Sequence, residues 1–326
     1  MSFNHFIVKG YLGCIEMNFS KRNYTFKLKN ETSPKTDLIN NKKDYGEFVN
    51  PSTITNAIIK IGNNKFNLKH INQILGYLQS LLCKYIVVDF ECKTSIEDLK
   101  FLFEGLNSYN IHEAMLLLNY SDEMYSDDFA DLILSTNRFN SIIIFNSPFN
   151  KNLENFIYYY QEPRQANNFN KIKTEFACNL KIYTESLSDH TYFNRKLYIG
   201  ENGEIKNAPE CPENFGFIQD YSSLEELKTI ILSPSFQKYW HINKDNCDIC
   251  RDCEYRYICV DNRLPYQCPN GTWYHEIECN YNPYICKWKD EKGYVPVEEC
   301  GTYTKETGFV VNTERVTELN IQLWGE

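Results

Sequence analysis

The sequence predicts an α/β protein: a partial, open βα barrel followed by a small, loop-rich, cysteine-rich domain. Three observations carry this reading. Apolar strand-like runs alternate with helical ones up to about residue 180. Only about four such units are present, too few for a closed eight-stranded barrel. Beyond about residue 185 the alternation stops, and seven of the chain's 13 cysteines fall between Cys247 and Cys286.

In order, AIIKIG (residues 57–62) reads as a short strand and residues 70–82 as a helix, with Ile71, Ile74, Leu75, Leu78 and Leu82 at helical spacing. YIVVDF (85–90) is a strand, and residues 95–106 a helix whose Ser95 and Asp98 form the aspartate variant of a capping box. AMLLLN (114–119) and SIIIFN (141–146) are strands around a helix at 126–135. Wholly apolar strands separated by helices fit a mostly parallel, helix-covered sheet. KLYIGENGEIKN (196–207) reads as a hairpin turning at Asn202-Gly203. Residues 222–233 form a helix capped by Ser222 with Glu225, and the alternation of residues 307–324 suggests a final strand or hairpin. The resulting domains are 1–185, 186–300 and a C-terminal strand or tail, 301–326.

Hydrophobic residues make up 42% of the 326, enough for a sizeable core, which excludes a mainly disordered chain. A net charge of -9 argues against binding a nucleic-acid backbone. Charge is uneven: residues 1–70 are net basic, which reads first as a solvated surface of mixed sign and alternatively as a face for an acidic partner or peptide. No run is apolar enough to span a membrane, and residues 1–10 lack secretory-signal features, so a cytoplasmic address is expected. There is no Walker loop, no G-x-G-x-x-G and no histidine pair at i, i+4 spacing.

Cys14, Cys83, Cys92 and Cys178 are scattered and read as small buried hydrophobes. The late cysteines differ. CDICRDCEYRYIC contains Cys247-x2-Cys250-x2-Cys253 and Cys253-x5-Cys259. A two-residue gap lets one tight turn aim two thiolates at one inorganic centre. In a reducing compartment such clusters hold metal more often than disulfides. Spacing alone leaves iron–sulfur and zinc both open. His241 and His275 border the cluster, as do Tyr255, Tyr257, Tyr266, Trp273, Tyr274, Tyr281, Tyr284 and Trp288, which shield a loop-rich site or grip a peptide.

VNPSTITNAIIKI, NRKLYIGENGEIKN, FQKYWHINKD, CRDCEYRYICVDNR and CNYNPY, spread in this order from about residue 49 to 284, resemble the SPASM-domain peptide maturases of grasp-with-spasm systems. The SPASM domain is the auxiliary-cluster module that follows radical SAM domains. Against its cysteine pattern, Cys250, Cys253 and Cys259 match, and Cys279 matches the distal position. The resemblance implies that these four hold one 4Fe–4S cluster. The positions of the other cluster fall near Tyr192, at Ala208, and at Asn262 or Arg263, none of them a thiolate. Cys211, Cys247, Cys268, Cys286 and Cys300 stay unassigned: some could rebuild a second site, and Cys247 or Cys268 could replace Cys279 as fourth ligand.

The radical SAM hallmark, Cys-x3-Cys-x2-Cys after the first barrel strand, is missing; the equivalent loop reads GNNKFNLKH. The resemblance therefore implies a radical-SAM-like partial barrel without S-adenosylmethionine chemistry. It implies an accessory maturation protein for a ribosomally made peptide, binding the precursor and acting with an ATP-grasp ligase. The alternatives are a redox enzyme of the same pathway using the remaining cluster, and a zinc-binding interaction module.

Overall fold

The computed structural model describes residues 5–10, 13–18, 26–28, 51–153, 156–163, 174–304 and 306–325. Cys14 and most of the basic N-terminal stretch proposed to face an acidic partner lie outside the described side chains. Contacts divide the chain into a sheet unit, residues 50–171 and 195–238, and a cysteine unit, residues 1–49, 172–194 and 239–326.

The sheet unit carries eight strands: β1 (Asn56–Ile61), β2 (Tyr85–Phe90), β3 (Glu113–Asn119), β4 (Phe139–Phe145), β5 (Lys151–Leu153), β6 (Ile157–Tyr159), β7 (Lys196–Ile199) and β8 (Ile205–Lys206). Their spatial order is β8-β7-β1-β2-β3-β4-β6-β5. The six strands from β7 to β6 run parallel, and an antiparallel strand closes each edge. The sheet is open, because β8 and β5 each pair on one side only.

Register explains the core. Ile59 lies opposite Val88, Val88 opposite Leu116, and Leu116 opposite Ile142, which faces Ile157. All five are buried. The alternate residues Val87, Met115 and Ile143 are half-buried. One face is thus fully covered and the other is not, where near-continuous apolar strands predicted cover on both.

The helices of this unit are α1 (Phe66–Lys69), α2 (Ile71–Ser80), α3 (Ile96–Ser108), α4 (Asp127–Leu134) and α5 (Leu224–Ile231). In α2 the predicted Ile71, Ile74, Leu75 and Leu78 are buried. Leu82 is not: the helix stops at Ser80, and Leu82 turns outward with φ 57°, 54% exposed. The capping box of Ser95 and Asp98 forms as predicted. At α5 the cap is Ser223, whose side chain accepts from Glu226 N, while Ser222 instead donates to the Glu226 carboxylate. Two adjacent serines, each with a glutamate three residues on, make the register ambiguous in sequence.

The hairpin at residues 196–207 turns where expected, with Gly203 at φ 91°. Its first strand, β7, pairs in parallel with β1. That pairing moves residues 195–238 out of the expected 186–300 domain and into the sheet unit.

The cysteine unit is built from short antiparallel pairs. A three-stranded sheet comprises His5–Gly10, Gly13–Asn18 and Phe26–Leu28. Thr174–Phe176 pairs with Cys259–Asp261, Pro265–Gln267 with Trp273–His275, and Tyr281–Asn282 with Lys287–Trp288. Gly301–Thr304 pairs with Gly308–Val311. The expected final hairpin is therefore half right, because residues Thr313–Trp324 form a helix. Asn312 caps it by accepting from Arg315 N, and Val316 and Leu319 bury one face. They pack with Tyr284, Ile285, Val297, Cys300 and Phe309, so residues 301–325 belong to the cysteine unit's core and not to a separate tail.

Candidate metal centre

The Cys250 turn is fixed by a strained backbone. Ile249 has φ 66° and ψ -50°, and Cys250 N donates to Asp248 O at 2.7 Å. This is the rare form of γ-turn, unfavourable for a β-branched residue. Asp248 N is tied to Trp273 O at 2.7 Å, and Cys253 N closes the next turn onto Cys250 O at 3.0 Å. Such strain persists only where its surroundings over-determine it, and it concentrates at functional sites. Cys259 is placed differently. It starts a strand opposite Phe176, and Ala177 N donates to Ile258 O at 2.9 Å.

The Cys279 segment is tied back to this turn by its neighbours. Tyr281 Oη donates to Glu254, the residue after Cys253. Tyr284 Oη donates to Asp252 at 2.9 Å. Asn282 accepts from Tyr284 N and donates to Val295 O. The CNYNPY motif thus works as a set of anchors.

Cys250, Cys253, Cys259 and Cys279 all line one cavity of about 610 Å³. Its wall also holds a buried ion network. Asp261 pairs with Lys244 and with Arg263, and all three side chains are buried. Two cations thus share one carboxylate here, while Asp248, Glu276, Glu278 and Glu298 also line the cavity. The Lys244 ammonium feels the Cys250 and Cys259 sulfurs, and the Arg263 guanidinium feels those of Cys250 and Cys279. Arg263 Nη2 lies 3.5 Å from Cys250 Sγ. Burial, with Glu254 and Cys250 close by, pushes the Cys253 thiol well above its ordinary range. Burial also raises Cys259, against the pull of Lys244.

Four cysteines on one cavity are the donor chemistry a 4Fe–4S cluster takes, and Lys244 and Arg263 beside their sulfurs would offset part of the thiolate charge. Each thiolate of a cubane binds a different iron, so the sulfurs need not meet at one point. Among the described residues no three Cys, His, Asp or Glu side chains converge closely enough for a single metal ion.

None of the described cysteines is in a disulfide. None of the five unassigned cysteines lines the cavity. Cys211 is buried in the sheet unit, its thiol pushed up to about 12 by desolvation. Cys247 donates to Asn243 O, Cys268 lies 3.3 Å from Tyr303 Oη, and Cys300 accepts from Asn282 at 3.3 Å. Cys286 is exposed. Of the scattered cysteines, Cys83 and Cys92 are buried as expected and Cys178 is exposed.

His275 lines the cavity, with Nδ1 at 3.1 Å from Leu264 O; burial beside Arg263 and Lys244 lowers it to about 3. His241 does not line it; its Nδ1 is 2.7 Å from Asp189. Tyr255, Tyr274 and Tyr281 reach the cavity, joined by Phe176, Tyr303 and Phe309. These last three, and the Lys244–Asp261–Arg263 network, were not legible as site residues, because they arrive through non-local pairing.

The chain matches no family model, no curated protein and no solved structure.

Proposed function

We propose that this protein is an accessory maturation factor for a ribosomally made peptide, in which Cys250, Cys253, Cys259 and Cys279 hold one 4Fe–4S cluster. The observation that carries the reading is their shared cavity, with the Lys244 and Arg263 cations beside their sulfurs. A single zinc ion is the alternative occupant, and it would need the same thiolates to converge on one point. When bound, the cluster supplies cross-links between loops whose apolar core is small. Cys253 and Cys259 give up their protons to bind it, and Lys244 and Arg263 stabilise the resulting charge.

The open sheet, with β1 to β4 adjacent in sequence order, supports a radical-SAM-like partial barrel. The loop after β1 has no cysteine. Asn67 seals its base by donating to Lys60 O at 2.7 Å. On this reading the chain recognises the precursor and presents it to an ATP-grasp ligase, which forms the bond, and the protein works in the cytoplasm. The test is capture of precursor and ligase by wild type and by Cys253→Ala. Loss of capture together with loss of iron is expected; capture unchanged in a folded, iron-free variant would refute a structural cluster.

A further inference from the structure

We infer that Arg263 positions the ligand loops of this centre and sets its reduction potential. The inference rests on the cluster reading above. The guanidinium plane of Arg263 is fixed by Asp261, with Nε at 3.3 Å from Oδ1 and Nη2 at 3.2 Å from Oδ2. Its remaining donors reach two other segments. Nη2 donates to Cys250 Sγ at 3.5 Å, and Nη1 to Ile277 O at 3.1 Å. Ile277 lies two residues before Cys279. One side chain therefore links the end of the Cys259 strand, the Cys250 turn and the Cys279 loop.

Only a forked, planar cation makes these contacts together; an ammonium is a point charge with a different reach. Asp261 does not cancel the guanidinium, because Lys244 shares the same carboxylate. A cation donating to a ligand sulfur stabilises the reduced, more negative cluster and raises its potential. Arg263 is thus a positioning residue that tunes the centre without binding it.

The test compares the full wild-type chain, Arg263→Lys and Arg263→Gln, purified anaerobically. Iron and sulfide are measured, and the cluster is titrated with dithionite as electron donor. Arg263→Gln leaves Asp261 paired with Lys244, so no buried carboxylate is stranded. The expected result is a retained cluster at a lower midpoint in Arg263→Gln, with a smaller shift in Arg263→Lys. Wild-type protein labelled with [15N]arginine supplies a measurement that needs no variant: pulsed EPR of the reduced cluster shows a weak coupling to labelled nitrogen. An unchanged midpoint in Arg263→Gln, or no such coupling in wild type, overturns the role of Arg263 alone. Wild type lacking iron and sulfide overturns the cluster reading and this inference with it.

Discussion

Arg263 Nη1 donates to the Ile277 carbonyl at 3.1 Å, and this bond ties the loop carrying Cys279 to the end of the strand that begins at Cys259. On this side of Cys279 the chain is exposed, Ile277 at 55%, while the anchors of Tyr281, Asn282 and Tyr284 lie on the other. In metal-free protein, Arg263→Lys is expected to speed alkylation of Cys279 several-fold and to leave Cys253 unchanged. Peptide mass spectrometry after an iodoacetamide time course reads both. Equal rates at Cys279 would mean that the bond does not hold the loop.

Asp261 is fully buried between Lys244 and Arg263. Removing the carboxylate leaves two cations facing each other out of water. Asp261→Asn should lose about 3–5 kcal/mol in urea unfolding. Adding Lys244→Met should restore part of that, since one stranded charge is gone.

In the sheet unit, Asp98 accepts from Ser95 N and Oγ and pairs with Lys65. Burial raises its carboxyl, but Lys65 and Ser95 outweigh burial and hold it below the usual range. A depressed folded value adds stability that is complete above the unfolded value, about 3.9, and is lost as pH falls through the folded one. Asp98→Asn should therefore destabilise at neutral pH and flatten the loss of stability as pH falls below about 4. Ser95→Ala should cost about 1 kcal/mol. Chemical denaturation at a series of pH values measures both.

Gly308 sits at φ 71° against Asp248, which lines the cavity; an added Cβ would collide with the Asp248 carboxylate. Asp248 also accepts from Phe309 N at 3.2 Å. Gly308→Ala should cost about 1–3 kcal/mol and weaken cluster retention. Normal stability and iron content in that variant would separate the C-terminal hairpin from the site.

Local pattern made much of the sheet unit legible. β2 falls at residues 85–90 as read, and the Ser95–Asp98 box appears where the motif placed it. Pairing partners were not legible. Nothing in KLYI indicates that it joins β1, because strand pairing is decided by distant residues. The C-terminal helix was hidden by the β-branched run before it, Val310-Val311, which belongs to the preceding strand. In the site, spacing singled out Cys247, Cys250, Cys253 and Cys259 alike; the resemblance set Cys247 aside and added Cys279, and Cys247 does not line the cavity. Lys244 and Asp261 carried no signal, since a charged residue in a loop reads as solvated until its burial is known.

The most direct test is iron and acid-labile sulfide in the anaerobically purified chain. The account predicts about four of each per wild-type chain. It predicts loss of both in Cys250→Ala, Cys253→Ala and Cys259→Ala, and retention in Cys211→Ala and Cys286→Ser. Wild-type protein with zinc alone or no metal, or a full cluster in Cys253→Ala, would contradict it.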